Sequence, residues 1–389
     1  GNTKATSMYS HPEIEAYDKD SKTYYFLKRS SLHDMRFIEE DNYELDRIPR
    51  KFCKELKIDS VDTWQDSTAK YPTGYGSART SDSNYLSMKV VIKGAYYYLM
   101  ATVSPKEMKE NKFFESFKFN DFKYKFAFEE RVDSTLNFKV NSNFISPNPY
   151  SQLIRKGYEK RRNRKETEDK SYLSKRNSTT YYSENYERVH VEYDKFHRYK
   201  YVKHVDTLFN RETRFFAIRN DMVLQKSVKG KQGDFEYMDA FFADTNSNRV
   251  IRKKFIVDRG TMYTLTTNLD SISQESKYIS EFYNSFMPYD TADQLGITVS
   301  KSDLFFNALS SKDSLETERA MKSVKTTLVF EDEDADRLMG VISNYDFPTK
   351  HIESKVQMIS DLGALKNKKI VPYLTSLYDK AEDTAMYQI

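Results

Sequence analysis

The chain has 389 residues, of which 31% are charged and 38% hydrophobic, and its net charge is +4. This length suffices for two or three domains, and so small a charge does not require a polyanionic partner. A single cysteine, Cys53, excludes an intrachain disulfide and a cysteine-based metal site. No run reaches the length of a transmembrane helix. The 11 glycines count against a nucleotide-binding enzyme, because phosphate-cradling loops depend on glycine.

The first predicted unit occupies residues 1–130 and mixes strands with helices. Residues 22–29 (KTYYFLKR) alternate aromatic and polar side chains, which predicts a strand that opens a sheet. Residues 45–56 have a helical pattern. A β-branched run before Gly94 and a second run at residues 95–102 predict a hairpin whose turn needs a positive φ at the glycine.

A predicted helix at residues 106–117 follows this hairpin. Phe113, Phe114 and Phe117 are spaced so that most of the aromatic rings share one helix face. We expect that face to pack onto the hairpin.

A charged connector is predicted at residues 131–180. It begins with an extended run at residues 136–140 and then becomes basic. Residues 155–176 carry ten Lys and Arg against four Asp and Glu. Contact with nucleic acid or anionic lipid is one hypothesis for this stretch. The interspersed acidic residues and the shortage of aromatic residues favour the other hypothesis, a solvated helix or linker that binds no nucleic acid.

The second predicted unit, residues 181–298, repeats the order of the first. Its predicted elements are an opening strand at 198–205, a helix at 207–223, a hairpin around Gly260 with a return strand at 261–267, and a helix at 276–286. Both units contain Gly-x-x-Tyr-x-Leu and later close on Phe-(Phe/Tyr)-x-Ser-Phe. We interpret Ser116 and Ser285 of the closing motif as local backbone partners, because a catalytic serine would need a nearby histidine. The repeat predicts two tandem, duplicated α+β domains with antiparallel sheets flanked by helices.

Residues 299–389 change to a helical period. Helices are predicted around residues 304–309 and at 316–329, 334–344, 351–365 and 370–380. The last pair resembles a HEAT-type repeat through Leu362-Gly363, a short loop, and Val371-Pro372-x-Leu374. Proline is tolerated in the first turn of the second helix. The period of about thirty-five residues is typical of helical-pair repeats, so an all-α, HEAT-like segment is predicted.

Three histidines at seven-residue spacing form the candidate metal cluster: His190, His197 and His204. Seven residues reverse the side of a strand, so the three would not converge on one strand, although two could meet across a hairpin beside Glu192 and Asp194. We favour ordinary surface histidines. The acidic run at residues 331–336 lacks the spacing and the turn glycine of a calcium-binding EF-hand loop.

Catalytic signatures are missing from the sequence. There is no phosphate-binding loop, dinucleotide fingerprint, nucleophile elbow or H-E-x-x-H motif. We therefore predict no catalytic residue, no cofactor-binding residue and no metal ligand. A pair of glycosidase carboxylates, distant in the chain, is left open.

The duplicated motif, an apolar strand, Gly-x-x-Tyr-x-Leu and a helix ending in Phe-x-Ser-Phe, resembles the PsbP-like superfamily of α/β/α sandwiches. The resemblance covers about forty residues in each half. It implies a central antiparallel sheet flanked by helices and a non-enzymatic accessory role in a complex. In its abundance of Tyr, Asn and Lys the whole chain also resembles uncharacterised exported proteins of Bacteroidetes, which implies an extracytoplasmic location in the periplasm or at the cell surface.

Two functional hypotheses follow. The first is a non-catalytic binding or scaffold protein that mediates protein–protein contacts in a cell-envelope complex. The alternative is an extracytoplasmic hydrolase that acts on carbohydrate or peptide. Membrane association is expected only through a lipid anchor on a segment preceding Gly1, and further helical repeats are expected after Ile389.

Overall fold

The structure is a computed structural model that describes residues 13–32, 35, 38–108, 111–144, 175–244, 246–289 and 295–379. Most of the predicted basic stretch, residues 155–174, lies outside the described residues, as does the C-terminus from residue 380. Among the described residues, no helix combines the length and the apolar character needed to cross a membrane.

The first six strands form one antiparallel sheet in the spatial order β1-β2-β6-β5-β4-β3. Their bounds are β1 Glu13–Asp18, β2 Thr23–Ser31, β3 Asp62–Asp66, β4 Thr73–Arg79, β5 Tyr85–Lys93 and β6 Tyr96–Ser104. Helix α1 (Asp41–Glu55) packs on one face, where Leu45 and Ile48 join a cluster with Leu86, Met88 and Val90. Helix α2 (Lys112–Ser116) packs on the other face, through Phe114 against Val91 and Met100.

A second six-stranded antiparallel sheet has the order β9-β10-β14-β13-β12-β11. Its strands are β9 Lys175–Tyr182, β10 Arg188–Lys195, β11 Val223–Gln232, β12 Phe235–Ala243, β13 Arg249–Asp258 and β14 Thr261–Asp270. Helix α3 (Val205–Arg219) covers one face and helix α4 (Lys277–Ser285) the other. Chain order and spatial order match those of the first sheet element by element. The predicted α+β class with duplicated antiparallel sheets is therefore confirmed.

The two equivalent hairpins align one residue away from the predicted motif. Lys93 pairs with Tyr96, and Asp258 pairs with Thr261, so Gly94 corresponds to Arg259. Both have a positive φ, 57° and 50°, whereas Gly260 does not. The predicted positive φ is confirmed at Gly94 and wrong at Gly260, because the preceding arginine adopts the left-handed conformation in the second turn.

The strand predicted at residues 198–205 is wrong. Strand β10 occupies the equivalent place in the sheet, beside β14, just as β2 lies beside β6. Residues 198–204 form a loop whose Tyr199, 1% exposed, is buried in the core of the C-terminal helices. The loop also contacts those helices through Tyr201, which donates to Glu331 at 2.7 Å. Its alternating tyrosines reflect docking of another segment rather than sheet pairing.

Among the described residues of the helix predicted at 106–117, those of Lys112–Ser116 are helical and the others are not. The amide of Asn111 donates to Thr102 of β6 at 2.9 Å, which holds the preceding segment against the sheet. The counterpart α4 covers all of the predicted residues except the two caps and has a serine cap: Ser276 Oγ accepts from the amide of Ile279.

A small third sheet has the order β15-β8-β7, with β7 Glu129–Asp133, β8 Phe138–Ser142 and β15 Met287–Pro288. The extended run predicted at residues 136–140 thus falls mostly within β8. Phe138 and Val140 lie in one apolar cluster with Tyr181, Phe282 and Phe286 of the second unit. This part of the predicted connector therefore contributes to the second unit's core. The predicted domain limits stay predictions.

Residues 302–379 form a helical segment. Its helices are α5 Ser302–Leu309, α6 Ser314–Val324, α7 Ala335–Asn344, α8 Ile352–Gly363 and α9 Ile370–Asp379. The helix predicted at residues 316–329 ends early, at Val324. Equivalent ion pairs join Asp303 to Arg337 and Asp336 to Lys369, at separations of 34 and 33 residues. These separations agree closely with the predicted period.

Candidate functional site

The three histidines of the candidate metal cluster occupy three different settings. His190 lies on β10, where Nδ1 is 2.9 Å from the hydroxyl of Thr180 and Nε2 is 3.7 Å from Glu192. His197 lies in the following loop, where desolvation lowers its pKa, and His204 precedes α3. Within the described ranges no group of three or more His, Cys, Asp or Glu side chains could hold a metal ion.

The serines of the closing motif each donate to a backbone carbonyl of their own helix, as predicted, and Ser285 also accepts from the distant amide of Asn141 at 2.8 Å. Ser116 donates to the carbonyl of Phe113 at 2.9 Å, and Ser285 donates to the carbonyl of Glu281 at 2.7 Å. The acidic run at residues 331–336 lies at the start of a helix, where Glu331 and Asp334 form a capping box. Cys53 is buried beside the first sheet, and burial raises the pKa of its thiol.

A groove of about 1050 Å³ lies along the β3, β4 and β5 side of the first sheet, beside the segment that leads into α2. We call it the first-sheet groove. Two rows of paired residues cross its floor. One row is Asp62, Ser77 and Ser87, and the other is Trp64, Tyr75 and Lys89. Glu107, Asn111 and Glu115 line the side formed by the α2 segment.

Aromatic side chains give the groove its character. Trp64, the one tryptophan of the chain, is 51% exposed and stacks on Tyr75 with 5.7 Å between ring centroids. The guanidinium of Arg79 lies 3.4 Å from the centroid of the Tyr85 ring. Trp, Tyr and Arg are the residue types that dominate binding energy at protein interfaces. One side of the groove therefore carries a concentrated set of contact residues.

On the same face of the second sheet, larger side chains occupy the equivalent positions. The strand pairing places Phe241 and Arg252 where the first sheet has Ser77 and Ser87. Arg252 is 8% exposed and pairs with Asp239 and Glu275, each at 2.5 Å. Its guanidinium lies 4.2 Å from the centroid of the Tyr283 ring in α4. Larger side chains and a longer helix thus fill the space that two serines leave open in the first copy.

One polar contact is common to both copies. Lys89 donates to the carbonyl of Phe114 at 3.2 Å, and its counterpart Lys254 donates to the carbonyl of Tyr283 at 2.8 Å. Phe114 and Tyr283 hold the same position in the duplicated closing motif. A lysine therefore anchors the end of the helix to the sheet in each copy. Because both copies have this contact, we assign it a structural role and not a binding role.

The groove residues were not singled out by the sequence reasoning. Trp64 and Tyr75 lie on short strands with polar neighbours, where the alternating pattern is weak. Alignment of the two copies strand by strand would have pointed to the two serines on the floor of the groove. It sets Ser77 and Ser87 against Phe241 and Arg252, a difference in volume and charge at otherwise equivalent positions.

Comparisons with known proteins show a weak structural likeness. No protein-family model matches the chain, and neither does any curated protein. The solution structure of cyanobacterial PsbP (CyanoP) from Synechocystis sp. PCC 6803 resembles part of it. The identity is 12%, the match covers 42% of this chain and 93% of that chain, and the TM-score is 0.27. The superfamily is the one that the duplicated motif resembles, but at this TM-score the likeness carries no argument.

Proposed function

We propose that the chain is a non-catalytic binding protein whose first-sheet groove receives an extended segment of a partner protein. The observation that carries the proposal is the difference between the copies. The same positions of the sheet face are filled by Phe241 and Arg252 in the second copy and left open over Ser77 and Ser87 in the first. We therefore assign the binding role to the first copy and a structural role to the second.

The edge strand β3 makes an extended peptide the occupant that fits best. β3 is the last strand of its sheet and pairs with β4. The backbone groups on its other side suit an added strand, which gains main-chain hydrogen bonds and places alternate side chains in the groove. Exposed Trp64 at the centre of β3 would then contact an apolar or aromatic residue of the partner.

Charges at the ends of β3 specify the partner further. Asp62 and Asp66 flank Trp64 and point to the same face of the sheet, because they are two residues away on either side. A partner strand in register would place basic residues opposite both carboxylates and an apolar residue between them. The favoured motif is therefore basic, any residue, apolar, any residue, basic.

A peptide-display selection tests the proposal directly. Purified protein would be panned against random seven-residue peptides, and the double variant Ser77→Phe, Ser87→Arg would be panned in parallel. That variant copies the closed face of the second unit. We expect the wild-type protein to enrich basic–apolar–basic peptides and the double variant to enrich none. Trp64→Ala should weaken binding of an enriched peptide by roughly tenfold or more, the size of an interface hot spot.

The matched control is Val228→Ala, at the position of β11 that corresponds to Trp64. Its affinity should equal that of the wild type. Failure to enrich any motif, or equal enrichment by the double variant, would reject the groove as the binding site. Mass spectrometry of the bound peptides addresses the alternative hydrolase, since cleaved peptides would favour that function.

The location of the partner belongs to the same proposal. We place the complex in the cell envelope, supported by the resemblance of the sequence to exported proteins. Fractionation of the native host would test this, and recovery of the protein with cytoplasmic markers would contradict it.

A further inference from the structure

A second concave site lies between the two sheets. It is a cleft of about 450 Å³, which we call the inter-sheet cleft. One wall comes from β2 and β6, with Arg29, Tyr96 and Tyr98. The other comes from the end of β14 and the start of α4. The hairpin turn of the first sheet closes one end, where the amide of Gly94 donates to Asp270 at 3.2 Å.

Arg29 contributes a guanidinium to one wall of this cleft. Its guanidinium donates to the side-chain oxygen of Asn185 at 3.1 Å and to the carbonyl of the same residue at 2.8 Å. It also lies 4.0 Å from the centroid of the Tyr96 ring. These partners are all neutral. Within the part of the chain that the structure describes, no carboxylate forms an ion pair with Arg29, and its buried Nε has no hydrogen-bond partner.

The acidic residues of the cleft are already engaged by other groups. Asp270 accepts from the amides of Gly94 and Ile272. Glu275 pairs with Arg252, and Glu187 accepts from Tyr124. None of these contacts neutralises Arg29. A half-buried cation without a counter-charge is costly to maintain unless an anion joins it.

The second copy shows that an arginine is not required at this point of the fold. The pairing of β2 with β6 and of β10 with β14 sets Arg29 in the position of Tyr193. Tyr193 is 4% exposed and packs in the apolar core with Tyr263. The first copy thus has a cation where the second has a packing residue.

Aromatic and apolar side chains lie between the charged groups of the lining. Tyr98 and Phe119 meet edge to face at 4.9 Å, and Phe241 and Leu269 lie on the opposite wall. The side-chain oxygen of Asn268 is buried without a hydrogen-bond partner among the described residues. Lys93, Arg188 and Arg252 also line the cleft, so its cationic side chains outnumber its three carboxylates, and several aromatic surfaces lie beside them.

We propose that the inter-sheet cleft binds a small organic carboxylate with a planar apolar body. The carboxylate would accept from Arg29, and the apolar body would lie among Tyr98, Phe119 and Phe241. Such a pocket, mostly apolar with a few polar groups that orient the ligand, is typical of small-molecule sites. This site is independent of the first-sheet groove and of the peptide partner proposed there.

Calorimetric titration with benzoate tests the proposal, with benzamide as the neutral control of the same shape. We expect saturable binding of benzoate and binding of benzamide that is weaker by roughly tenfold or more, since hydrogen bonds to charged groups are worth that much. Arg29→Met should lose benzoate binding. Arg79→Met, which removes an arginine stacked on Tyr85 outside the cleft, should retain it.

A substitution at the rim of the cleft provides a second test in case the Arg29→Met variant does not fold. Gln274 is exposed at the edge of the cleft, so its replacement leaves the core intact. Gln274→Glu should weaken benzoate binding and Gln274→Lys should strengthen it, each by a few fold at low salt. The proposal is overturned if benzoate does not bind, if benzamide binds equally well, or if both Gln274 variants bind as the wild type does.

Discussion

At the scale of single residues, the two copies share their anchoring groups and differ in the groups that face open space. Lys89 and Lys254 hold equivalent helix ends, while Ser87 and Arg252 stand at equivalent positions with opposite consequences. The shared lysines differ in burial, because α4 covers Lys254 more completely than α2 covers Lys89. Desolvation lowers the pKa of Lys254. We therefore expect the two lysines to contribute different amounts to the free energy of unfolding.

Lys254→Met should reduce the free energy of unfolding by about 1–3 kcal/mol, because it removes a charge-assisted hydrogen bond in a buried setting. Lys89→Met removes a longer bond at a half-buried site and should cost less than about 1 kcal/mol. Urea unfolding followed by circular dichroism would measure both. Equal losses would show that burial does not set the strength of this contact.

Lys301 gives a pH dependence that can be measured. It is 2% exposed and donates to the carbonyl of Gly296 at 2.7 Å, and desolvation lowers its pKa from 10.5 to about 8. Between these two values the unfolded chain holds a proton that the folded protein has released. The free energy of unfolding therefore rises with pH in this window, and below pH 8 the cost of burying the charge is fully present.

Between pH 8 and pH 10 we expect Lys301 to add about 2 kcal/mol to the free energy of unfolding. Lys301→Met should remove that part of the rise, and exposed Lys312→Met should leave the profile unchanged. Urea midpoints at half-unit pH steps would show it. The window stops at pH 10 because buried tyrosines such as Tyr199, whose pKa is raised to about 12, act in the opposite direction above it.

At the scale of elements, the sequence pattern predicts correctly those helices and strands that depend on contacts between residues near in the chain. Helix α4 follows from its serine cap and its aromatic face, and both are present. The strand predicted at residues 198–205 is wrong because alternating aromatic residues indicate that a segment is buried, and do not indicate whether it packs in a sheet or against helices. The missed strand β10 has the clearer signal, since Val189, Val191 and Tyr193 alternate and are all buried. The first-sheet groove was missed because an open face leaves no apolar pattern.

Tyr199 decides whether the loop before α3 is a true docking element for the C-terminal helices. Tyr199→Ala should destabilise the helical segment by about 3–5 kcal/mol, the cost of truncating a buried aromatic residue. Tyr201→Phe loses one hydrogen bond to Glu331 and should cost about 1 kcal/mol. Hydrogen exchange of α5 to α8 would report the change locally, and unchanged protection in Tyr199→Ala would contradict docking.

At the scale of the whole molecule, the two sheet units are joined by buried polar contacts that cannot be predicted from the local sequence. Asp41 at the start of α1 accepts from the amide of Asn248 at 2.8 Å and from Arg249 Nε at 3.1 Å. Arg249 is 4% exposed. These partners are more than 200 residues apart in the chain, so a single sequence offers no spacing from which to infer them.

Asp41→Ala should therefore cost about 3–5 kcal/mol, because it leaves the Arg249 charge buried without its partner. The matched control is Asp46→Ala, which breaks a surface ion pair with Arg50 and should cost about 1 kcal/mol or less. Differential scanning calorimetry would measure both. Similar small losses would show that the two units are coupled weakly.

The β7–β8 hairpin has a consequence for synthesis on the ribosome. Its Phe138 and Val140 are covered by α4, and the amide of Asn141 donates to Ser285, 144 residues further along the chain. At translation rates of 5–20 residues per second, the hairpin waits roughly 7–30 s for its cover. During that interval it presents apolar side chains to the cell, so the nascent chain is expected to recruit chaperones at this point and release them when α4 emerges.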